Sequence, residues 1–526
     1  MKRTTIATPL PKPSLRALTT LLCLVAWQCA GAVSIPVTRT DDPPPNGCAP
    51  NDCSLREAID EAANNGTVDI IQVPVGNYAL TRGALVLDTS DQIYGQTNGG
   101  TTRIDGDGES PVFDLRGAID VKLVRLQIHG HGGHAIDLEP DTDLILEYVT
   151  IPDSDSPIFA TGFLNSLGSL DIRASEIHSY VDCGLLHFCR ILDSALQRLQ
   201  VGSGGQAQTR LVMEGSTIDG DLAPAADSGI VIQTNNDVSI IDSSIQNTNI
   251  GLLVPDGTPT SMLLDHVSYR ANEQPFSVQV PTNVTVIDSE FRLNVRNASN
   301  SGPAAIWATA ASTWDIQRST VASNTGNGSV GGAVLVDQAA HVAIRNSTFS
   351  SNSFAVASAA GARGAAIGFR ADAGGTSLLL QHVTIAAPTF FPAGILGTAL
   401  GGEGGETGLV LTVRNSILRG SCSLEAGAMD ANSGNIESAG DTCDFNSGNN
   451  QIGVSAASLD LGALADHGGA TQTYVPDAGS PAVDGADTAF RLATDQRGYQ
   501  RPFGSGCDVG ATEVGAEDRL FADGFD

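Results

Sequence analysis

The densest cluster of residues able to do acid–base chemistry is a short histidine-rich stretch, His129-Gly-His131-Gly-Gly-His134-Ala-Ile-Asp137. Histidine titrates near neutral pH, and a neighbouring carboxylate can orient its ring for proton transfer or ligand binding. His131 or His134 beside Asp137 is therefore a candidate catalytic or ligand-binding group. No paired carboxylate or metal-ligand spacing completes the site in the sequence, so a solvated glycine-rich turn is the alternative interpretation.

A second set of acidic candidates recurs at similar positions further along the chain. Asp242, Asp265 and Asp288 could stack on one face, and carboxylate oxygens are ligands that Ca²⁺ accepts. Three arginines lie near the same positions beyond them: Arg318, Arg345 and Arg414. The alternative is a ladder of solvated surface charges, which any polar flank would carry.

Aromatic and clamped polar residues give two further candidates. Phe390 and Phe391, in a proline-flanked loop, could form a small exposed binding patch or anchor that loop in the interior. Trp307 and Trp314 are the only tryptophans beyond the N-terminal 32 residues, and this scarcity weighs against stacking on sugars. In Asp495-Gln-Arg497 an arginine clamped by an aspartate is a structural interpretation, which we favour over a catalytic one.

These residues are set in a repeat that predicts the elements holding them. One eight-residue pattern recurs about twelve times: apolar, x, apolar, x, x, Ser or Val, x, apolar. Clear copies begin at Val238, Val284 and Val342. Side chains alternate along a strand, so positions one and three share a face. The three-residue step to position six breaks that phase, which predicts a bend followed by a second short strand.

Successive copies end about 19 to 36 residues apart, and another apolar strand often lies between them. Three short strands in a coil of this length are the unit of a parallel β-helix, in which each coil buries its apolar face against its neighbours. We therefore predict an all-β fold, a right-handed parallel β-helix (solenoid), with an internal ladder of stacked serines. A β-sandwich or propeller is disfavoured because the copies lack hairpin turns between paired strands.

The N-terminal region predicts export and then a helical cap. Four basic residues precede a short apolar run and the cleavage signal Ala30-Gly-Ala32, as in a secretory signal peptide. In Cys53-Ser-Leu-Arg-Glu-Ala-Ile-Asp-Glu-Ala, Ser54 and Glu57 match a capping box, and the apolar residues that follow have helical spacing. An open β-helix exposes its terminal edge, which such a helix could cover.

Seven cysteines lie beyond the predicted cleavage site. An exported chain favours local disulfides, and one cysteine, Cys507, is left over. The pairs suspected from proximity are Cys48 with Cys53, Cys183 with Cys189, and Cys422 with Cys443.

The charge balance excludes several partners. The chain has 28 Lys and Arg against 58 Asp and Glu, a formal charge of −30, and removing four basic residues with residues 1–32 gives −30 − 4 = −34. Such a surface repels nucleic acid and anionic lipid, and it repels anionic polysaccharide unless a divalent cation bridges the two. No apolar stretch beyond the signal peptide is long enough to predict a transmembrane segment.

Two long motifs resemble known bacterial families. Cys53-Ser-Leu-Arg-Glu-Ala resembles the N-terminal signature of CSLREA-domain proteins. Four stretches resemble the choice-of-anchor Q domain of bacterial surface proteins: Leu461–Thr473, Gly479–Asp484, Asp495–Pro502 and Cys507–Glu513. The resemblance implies export, a right-handed β-helix and display on or beyond the cell envelope. It implies no known reaction. The ending Asp523-Gly-Phe-Asp526 resembles tails of exported proteins in some Gram-negative bacteria, and its sorting role is a hypothesis.

The predicted organisation follows the chain in five parts. They are a signal peptide (1–32), a linker and cap helix (33–66), the β-helix (67–420), a choice-of-anchor Q-like C-terminal cap or anchor-associated module (421–513) and a short tail (514–526). The favoured function is an adhesin-like scaffold on the outer surface of a Gram-negative bacterium or secreted from it, with polysaccharide or a cell-envelope component as partner. The alternative is a polysaccharide lyase or hydrolase of the pectate-lyase-like fold, with Ca²⁺ as its cofactor. No other cofactor is evident from the sequence.

Overall fold

The computed structural model describes residues 32–516, apart from 107, 109–110, 131, 140, 153–157, 161–167, 185, 204–207, 223–227, 297–299, 356–361, 371–374, 387–397, 404–408, 425–428 and 446–447. His131, Phe390 and Phe391 lie outside the described residues, so the predictions made on them are not addressed by the structure.

Nearly every regular element is a short strand paired in parallel with the strand one coil away. The strands form three ladders that run the length of the molecule. The first ladder contains Ser34–Pro36, Ile70–Val73, Gln92–Gly95, Asp120–Val124, Asp143–Glu147, Ser169–Arg173, Phe188–Leu192, Arg210–Glu214, Val238–Ile241, Met262–Asp265, Asn283–Ile287, Thr313–Gln317, His341–Arg345, Ser377–Gln381, Val410–Arg414 and Met429–Ser433.

The second ladder follows the first across a tight bend. It contains Gly76–Ala79, Thr102–Asp105, Gln127–His129, Thr150–Ile151, Glu176–Asp182, Ala195–Val201, Thr217–Asp219, Ser244–Gln246, Ser268–Arg270, Glu290–Arg292, Thr320–Ala322, Thr348–Ser350, Thr384–Ala386, Ile417–Arg419, Ile436–Ser438 and Gln451–Val454. Glu176–Asp182 and Ala195–Val201 are long enough to continue into the third ladder, which joins the two into one hydrogen-bonded sheet.

The third ladder completes each coil. Its remaining strands are Leu85–Leu87, Phe113–Leu115, Ile136–Leu138, Ile158–Ala160, Gly229–Ile232, Gly251–Val254, Phe276–Val278, Ile306–Ala308, Val334–Val336, Ile367–Arg370, Leu400–Glu403 and Cys422–Ser423. A separate two-stranded pair joins Thr325–Gly326 to Ser353–Phe354. Parallel strands stacked coil on coil in three ladders define a parallel β-helix, and crossovers between parallel strands are right-handed, which confirms the predicted fold class.

The eight-residue repeat marks the bend between the first and second ladders. In the copy that starts at Val342, the side chains of Val342, Ile344, Ser347 and Phe349 are all buried, as the pattern predicts. Position five is the turn itself, and it has a left-handed backbone in thirteen successive coils. We call these residues the turn row: Arg125, Tyr148, Ala174, Asp193, Gly215, Asp242, His266, Asp288, Arg318, Asn346, His382, Asn415 and Gly434.

Two polar ladders run inside the coils. Where a serine follows the turn, its Oγ accepts a hydrogen bond from the backbone of the preceding coil, for example from Ser175 N to Ser194 Oγ at 3.1 Å and from Ser319 N to Ser347 Oγ at 3.2 Å. This confirms the predicted serine ladder. The other polar ladder consists of buried asparagines, and the repeat pattern did not predict it. These asparagines follow strands of the second strand ladder and are hydrogen-bonded from coil to coil: Asn272, Asn294, Asn324 and Asn352.

The predicted N-terminal helix is present as α1 (Leu55–Ala63), and its capping box joins Ser54 and Glu57. It packs against the strands Ser34–Pro36, Ile70–Val73 and Leu85–Leu87 of the first coils. Its role as an end cover stays a prediction. The strand ladders begin at Ser34 and end at Val454, so they extend past both bounds predicted for the β-helix.

Residues 461–516, which we call the C-terminal segment, lie along the flank of the helix over the later turn row. Thr471 Oγ1 donates to Arg318 O at 2.9 Å, and Asn415 Nδ2 donates to Asp487 O at 3.0 Å. Gly510 has a φ of +94°, and a Cβ there would come within 2.6 Å of Thr384 Oγ1, so glycine permits the close approach. The segment thereby covers the turn row from Arg318 to Gly434.

The three suspected disulfides are present, Cys48–Cys53, Cys183–Cys189 and Cys422–Cys443, and Cys507 is a buried free thiol. Within the described part of the chain, no helix combines the length and apolar character needed to cross a bilayer.

Candidate functional site

The C-terminal segment as the structure describes it leaves the turn row from Arg125 to Asp288 uncovered, and the part from Arg125 to Gly215 forms a groove. Three adjoining cavities of about 450, 260 and 600 Å³ follow one another from Ile70 to Thr217. The first two share Arg125, and the last two share Tyr148, so they form one continuous depression. Neighbouring coils lie about 4.8 Å apart, so a polymer lying along this groove would cross several of them.

Tyr148 is the dominant side chain of the groove. It is 52 % exposed, and the guanidinium carbon of Arg125 lies 5.3 Å from the centre of its ring. Its φ of 56° is rarely adopted by a bulky side chain and costs free energy that neighbouring coils must offset. An exposed ring with a polar hydroxyl, steadied by a cation, is suited to contact a ligand that has both apolar and hydroxyl groups. This tyrosine was not predicted as a site residue because aromatic counts do not show which rings are exposed.

Beyond the groove, the turn row carries a group with the geometry of a metal site. Asp265, His266 and Asp288 each place a ligand atom within 4.8 Å of the others. Two of the three acidic candidates therefore meet. Asp265 precedes its turn while Asp242 and Asp288 occupy theirs, and the third ligand is His266, which the sequence pattern did not single out.

The donors of this group decide which ion it could hold. Calcium takes oxygen ligands, whereas a histidine nitrogen beside carboxylates suits Zn²⁺ or Mn²⁺. The two carboxylates are already engaged: His266 Nδ1 lies 2.7 Å from Asp265 Oδ1, and Arg318 donates to both oxygens of Asp288 at 2.8 and 2.6 Å. A cation would have to compete with both contacts.

Arg318 is the one predicted arginine that reaches this group. Its two hydrogen bonds to Asp288 raise the pKa of the guanidinium, which makes it a poor base. Arg345 pairs instead with Asp315, and Arg414 lies 4.1 Å from the ring centre of Phe490 beneath the C-terminal segment. The arginines therefore do not converge on one site.

The histidine-rich stretch forms a second polar cluster on the outer face of the third ladder. His134 Nδ1 lies 2.7 Å from Asp137 Oδ1, and both side chains are about one-third exposed. Asp137 pairs in register with Asp114 of the preceding coil. On the other side it pairs with Phe159 of the next coil, which in turn pairs with Asp182 of the coil after that. Burial raises the pKa of Asp182 to about 6, although the Gly184 N–H and the Tyr180 hydroxyl oppose the shift. The structure thus brings His134 and Asp137 together, and it places Asp182 two coils away in the same register, a relation that their separation in the sequence did not reveal.

The aspartate-clamped arginine of the C-terminal segment has the geometry of a structural clamp. Arg497 donates to Asp495 from Nε at 2.9 Å and from Nη2 at 2.7 Å, and it donates to Glu513 O at 2.6 Å. The Asp495 side chain has no exposed surface, so it is not open to a substrate.

Comparison with known proteins adds a fold-level likeness only. No family model matches the sequence, and no curated protein matches it. Among solved structures, it is similar to pectate lyase Pel9A (12 % identity, TM-score 0.24, covering 92 % of this chain and 97 % of that one). It is also similar to the PL6 family alginate lyase AlyGC (10 %, 0.30, 81 % and 91 %).

A third similar structure is a tailspike protein double mutant of E. coli bacteriophage HK620 in complex with a pentasaccharide (10 % identity, TM-score 0.26, 81 % and 79 %). These identities and scores are too low to carry an argument about site or substrate. The fold class rests on the three strand ladders described above.

Proposed function

We propose that this protein is an exported, adhesin-like β-helix scaffold that binds a polysaccharide along the open half of its turn row. The observation that carries the proposal is the continuous groove from Ile70 to Thr217, with the exposed Tyr148 ring and Arg125 at its middle. The net charge favours a neutral glycan, since a polyanion would be repelled.

The proposal also includes the cellular location of the protein. A signal peptide at 1–32 and three disulfides suit an oxidising, extracellular environment. We assign the CSLREA-like N-terminus and the choice-of-anchor Q-like C-terminal module to display at the surface of a Gram-negative bacterium. Under this proposal the C-terminal segment covers the later coils and leaves the earlier ones free for a ligand.

A scaffold is preferred to a lyase because of Arg318. A lyase needs a base that can release and take up a proton, and the ion pair with Asp288 fixes the proton on this guanidinium. A divalent cation at Asp265, His266 and Asp288 would serve as a bridge to the glycan rather than as a catalyst.

The test replaces Tyr148 with asparagine, a residue that tolerates the left-handed backbone. Affinity electrophoresis through a panel of neutral polysaccharides should show retardation of the wild type, and a loss of most of it in Tyr148→Asn. Phe503→Ala is the matched control, because Phe503 is an exposed aromatic residue (42 %) in the C-terminal segment. Retardation reduced equally by both variants, or absent from every polysaccharide, would refute the proposal.

The same gels, run with EDTA, with Ca²⁺ and with Zn²⁺, address the cation. His266→Asn keeps a side chain suited to the turn while removing the ring nitrogen. Retardation that rises with Zn²⁺ in the wild type and stays unchanged in His266→Asn would support the bridging ion. Retardation that depends equally on metal in the wild type and in His266→Asn would refute a bridging ion at this group.

A further inference from the structure

The outer face of the third ladder contains a buried cluster of hydrogen-bond donors. Ser277 and Trp307 occupy register positions on adjacent strands and point outward from the helix core. The Arg296 side chain lies over the indole of Trp307, with its guanidinium carbon 6.0 Å from the ring centre. Gly302 closes the other side: a Cβ built on it would lie 3.6 Å from Trp307 Cζ3 and 3.9 Å from Arg296 Nε.

These donors are not matched by acceptors. Four buried atoms of this cluster have no hydrogen-bond partner among the residues that the structure describes: Arg296 Nε, Arg296 Nη1, Trp307 Nε1 and Ser277 Oγ. Arg296 Nη2 makes one long contact, 3.5 Å, with Ser301 O. Arg296 is 7 % exposed and Ser277 is 4 % exposed, so bulk water does not replace the missing partners.

A buried guanidinium without a counter-charge is costly, which is why native proteins pair such groups. Burial lowers the pKa of Arg296, yet an arginine side chain stays protonated in proteins, so the positive charge remains. The group that acts to raise the pKa of Arg296 is the phenol of Tyr269. A phenol is uncharged at neutral pH, so it does not supply the missing negative charge.

The chemistry of the cluster selects its ligand. Guanidinium and indole groups offer only N–H donors, and a serine hydroxyl can donate as well. Such a set repels cations and suits an anion with planar oxygen acceptors. We propose that Arg296, Trp307 and Ser277 form a binding site for the carboxylate of a small organic acid or a single acidic sugar.

The position of the site limits the ligand's size. Ser301, which contacts Arg296, is exposed, so the donors lie one residue beneath the surface. The strongly negative net charge disfavours a polyanion, whereas one carboxylate adds little repulsion and gains a charge-assisted bond. The site lies on the third ladder and is independent of the glycan groove on the turn row.

An unpaired Arg296 charge has a consequence for the stability of the protein without ligand. An unpaired buried charge destabilises the protein without ligand, and replacing it with an apolar residue of similar shape removes that cost. Arg296→Met should therefore match or exceed the wild type in melting temperature in carboxylate-free buffer. It should also lose the response to carboxylates.

The experiment follows melting temperature and tryptophan fluorescence of the purified protein in sodium acetate, sodium glucuronate and sodium chloride at equal ionic strength. We expect a saturable rise of roughly 1–3 °C with acetate or glucuronate, as mass action predicts, and none with chloride. Acetate alone would identify a free small acid, and glucuronate alone an acidic sugar. Arg270→Met is the control, since Arg270 is exposed on a neighbouring second-ladder strand.

Fluorescence keeps the test independent of folding defects in the arginine variant. Trp307→Phe leaves Trp314, which is buried in the core, as the reporter beyond residue 32. A carboxylate-dependent change of emission in the wild type that disappears in Trp307→Phe supports the site. Equal responses to chloride and carboxylates, a response retained in Arg296→Met, or no response to any of the three salts would overturn it.

Discussion

Replacing Arg501 with methionine tests whether a buried ion pair holds the C-terminal segment in shape. Arg501 Nη1 donates to Glu513 Oε2 at 2.9 Å and to Asp508 O at 3.0 Å, and Nη2 donates to Gly510 O at 2.8 Å. Neither charged side chain has exposed surface. The substitution therefore leaves the Glu513 carboxylate buried without its cation.

The expected loss can be worked from these contacts. Removing one partner of a buried pair costs about 3–5 kcal/mol. Glu513 keeps backbone donors at Phe503 N (2.6 Å) and Asp508 N (3.0 Å), which places the loss near the lower end, about 3 kcal/mol. Because each coil depends mainly on its neighbours, the loss should fall on residues 461–516 and spare the earlier coils.

Hydrogen exchange followed by mass spectrometry gives the assay. Amides of the C-terminal segment should exchange about a hundredfold faster in Arg501→Met, while those of the first-ladder strands before Asp242 should keep their rates. The double variant Arg501→Met/Glu513→Leu should recover part of the protection, since it removes the stranded charge. Unchanged exchange in the single variant, or equal acceleration along the whole helix, would refute this account of the segment.

Two further predictions concern other buried polar groups. His382 is fully buried, and burial together with the nearby Arg501 charge holds its pKa well below the usual range. Its folded pKa is below its unfolded value of about 6.5, so the stability it contributes is present above that pH and is lost as the pH falls below it. Thermal melts from pH 7 to pH 5 should therefore show a steeper decline in the wild type than in His382→Asn, and parallel curves would contradict the assignment. Asn324 accepts bonds from Asn294 and donates to Phe291 O at 2.9 Å and to Asn352 Oδ1 at 3.0 Å, so Asn324→Ala should lower the free energy of unfolding by about 2 kcal/mol. Denaturant titration would measure this loss against the exposed control Asn300→Ala, and equal midpoints for the two variants would rule out a stabilising asparagine ladder.

The fold could be predicted from the sequence because its signal is local and repeated. Alternation at positions one and three and the step to position six are properties of backbone geometry, so the pattern alone places Val342, Ile344 and Phe349 inward. The serine ladder followed from the same register. The asparagine ladder was missed because Asn272, Asn294 and Asn324 follow the second-ladder strand, just outside the eight-residue pattern.

The candidate sites were only partly predictable. Asp265 and Asp288 could be aligned from the repeat, yet their third neighbour, His266, required the turn geometry. Asp182 joins Asp137 through strand register across two coils, and this register depends on loops whose lengths carry no clear pattern. The course of the C-terminal segment along the flank was not foreseen, because many of its contacts are bonds between polar groups more than a hundred residues apart.

By itself, the sequence determined the class of fold, the three disulfide pairs and the acidic character of the surface. Each depends on residue type and short-range spacing, which the chain displays directly. Only the tertiary structure decided which half of the turn row is open, that Tyr148 is exposed there, and that Arg296 is buried without a counter-charge. Those outcomes depend on how distant coils and the C-terminal segment exclude water from one another, and no local pattern encodes that exclusion.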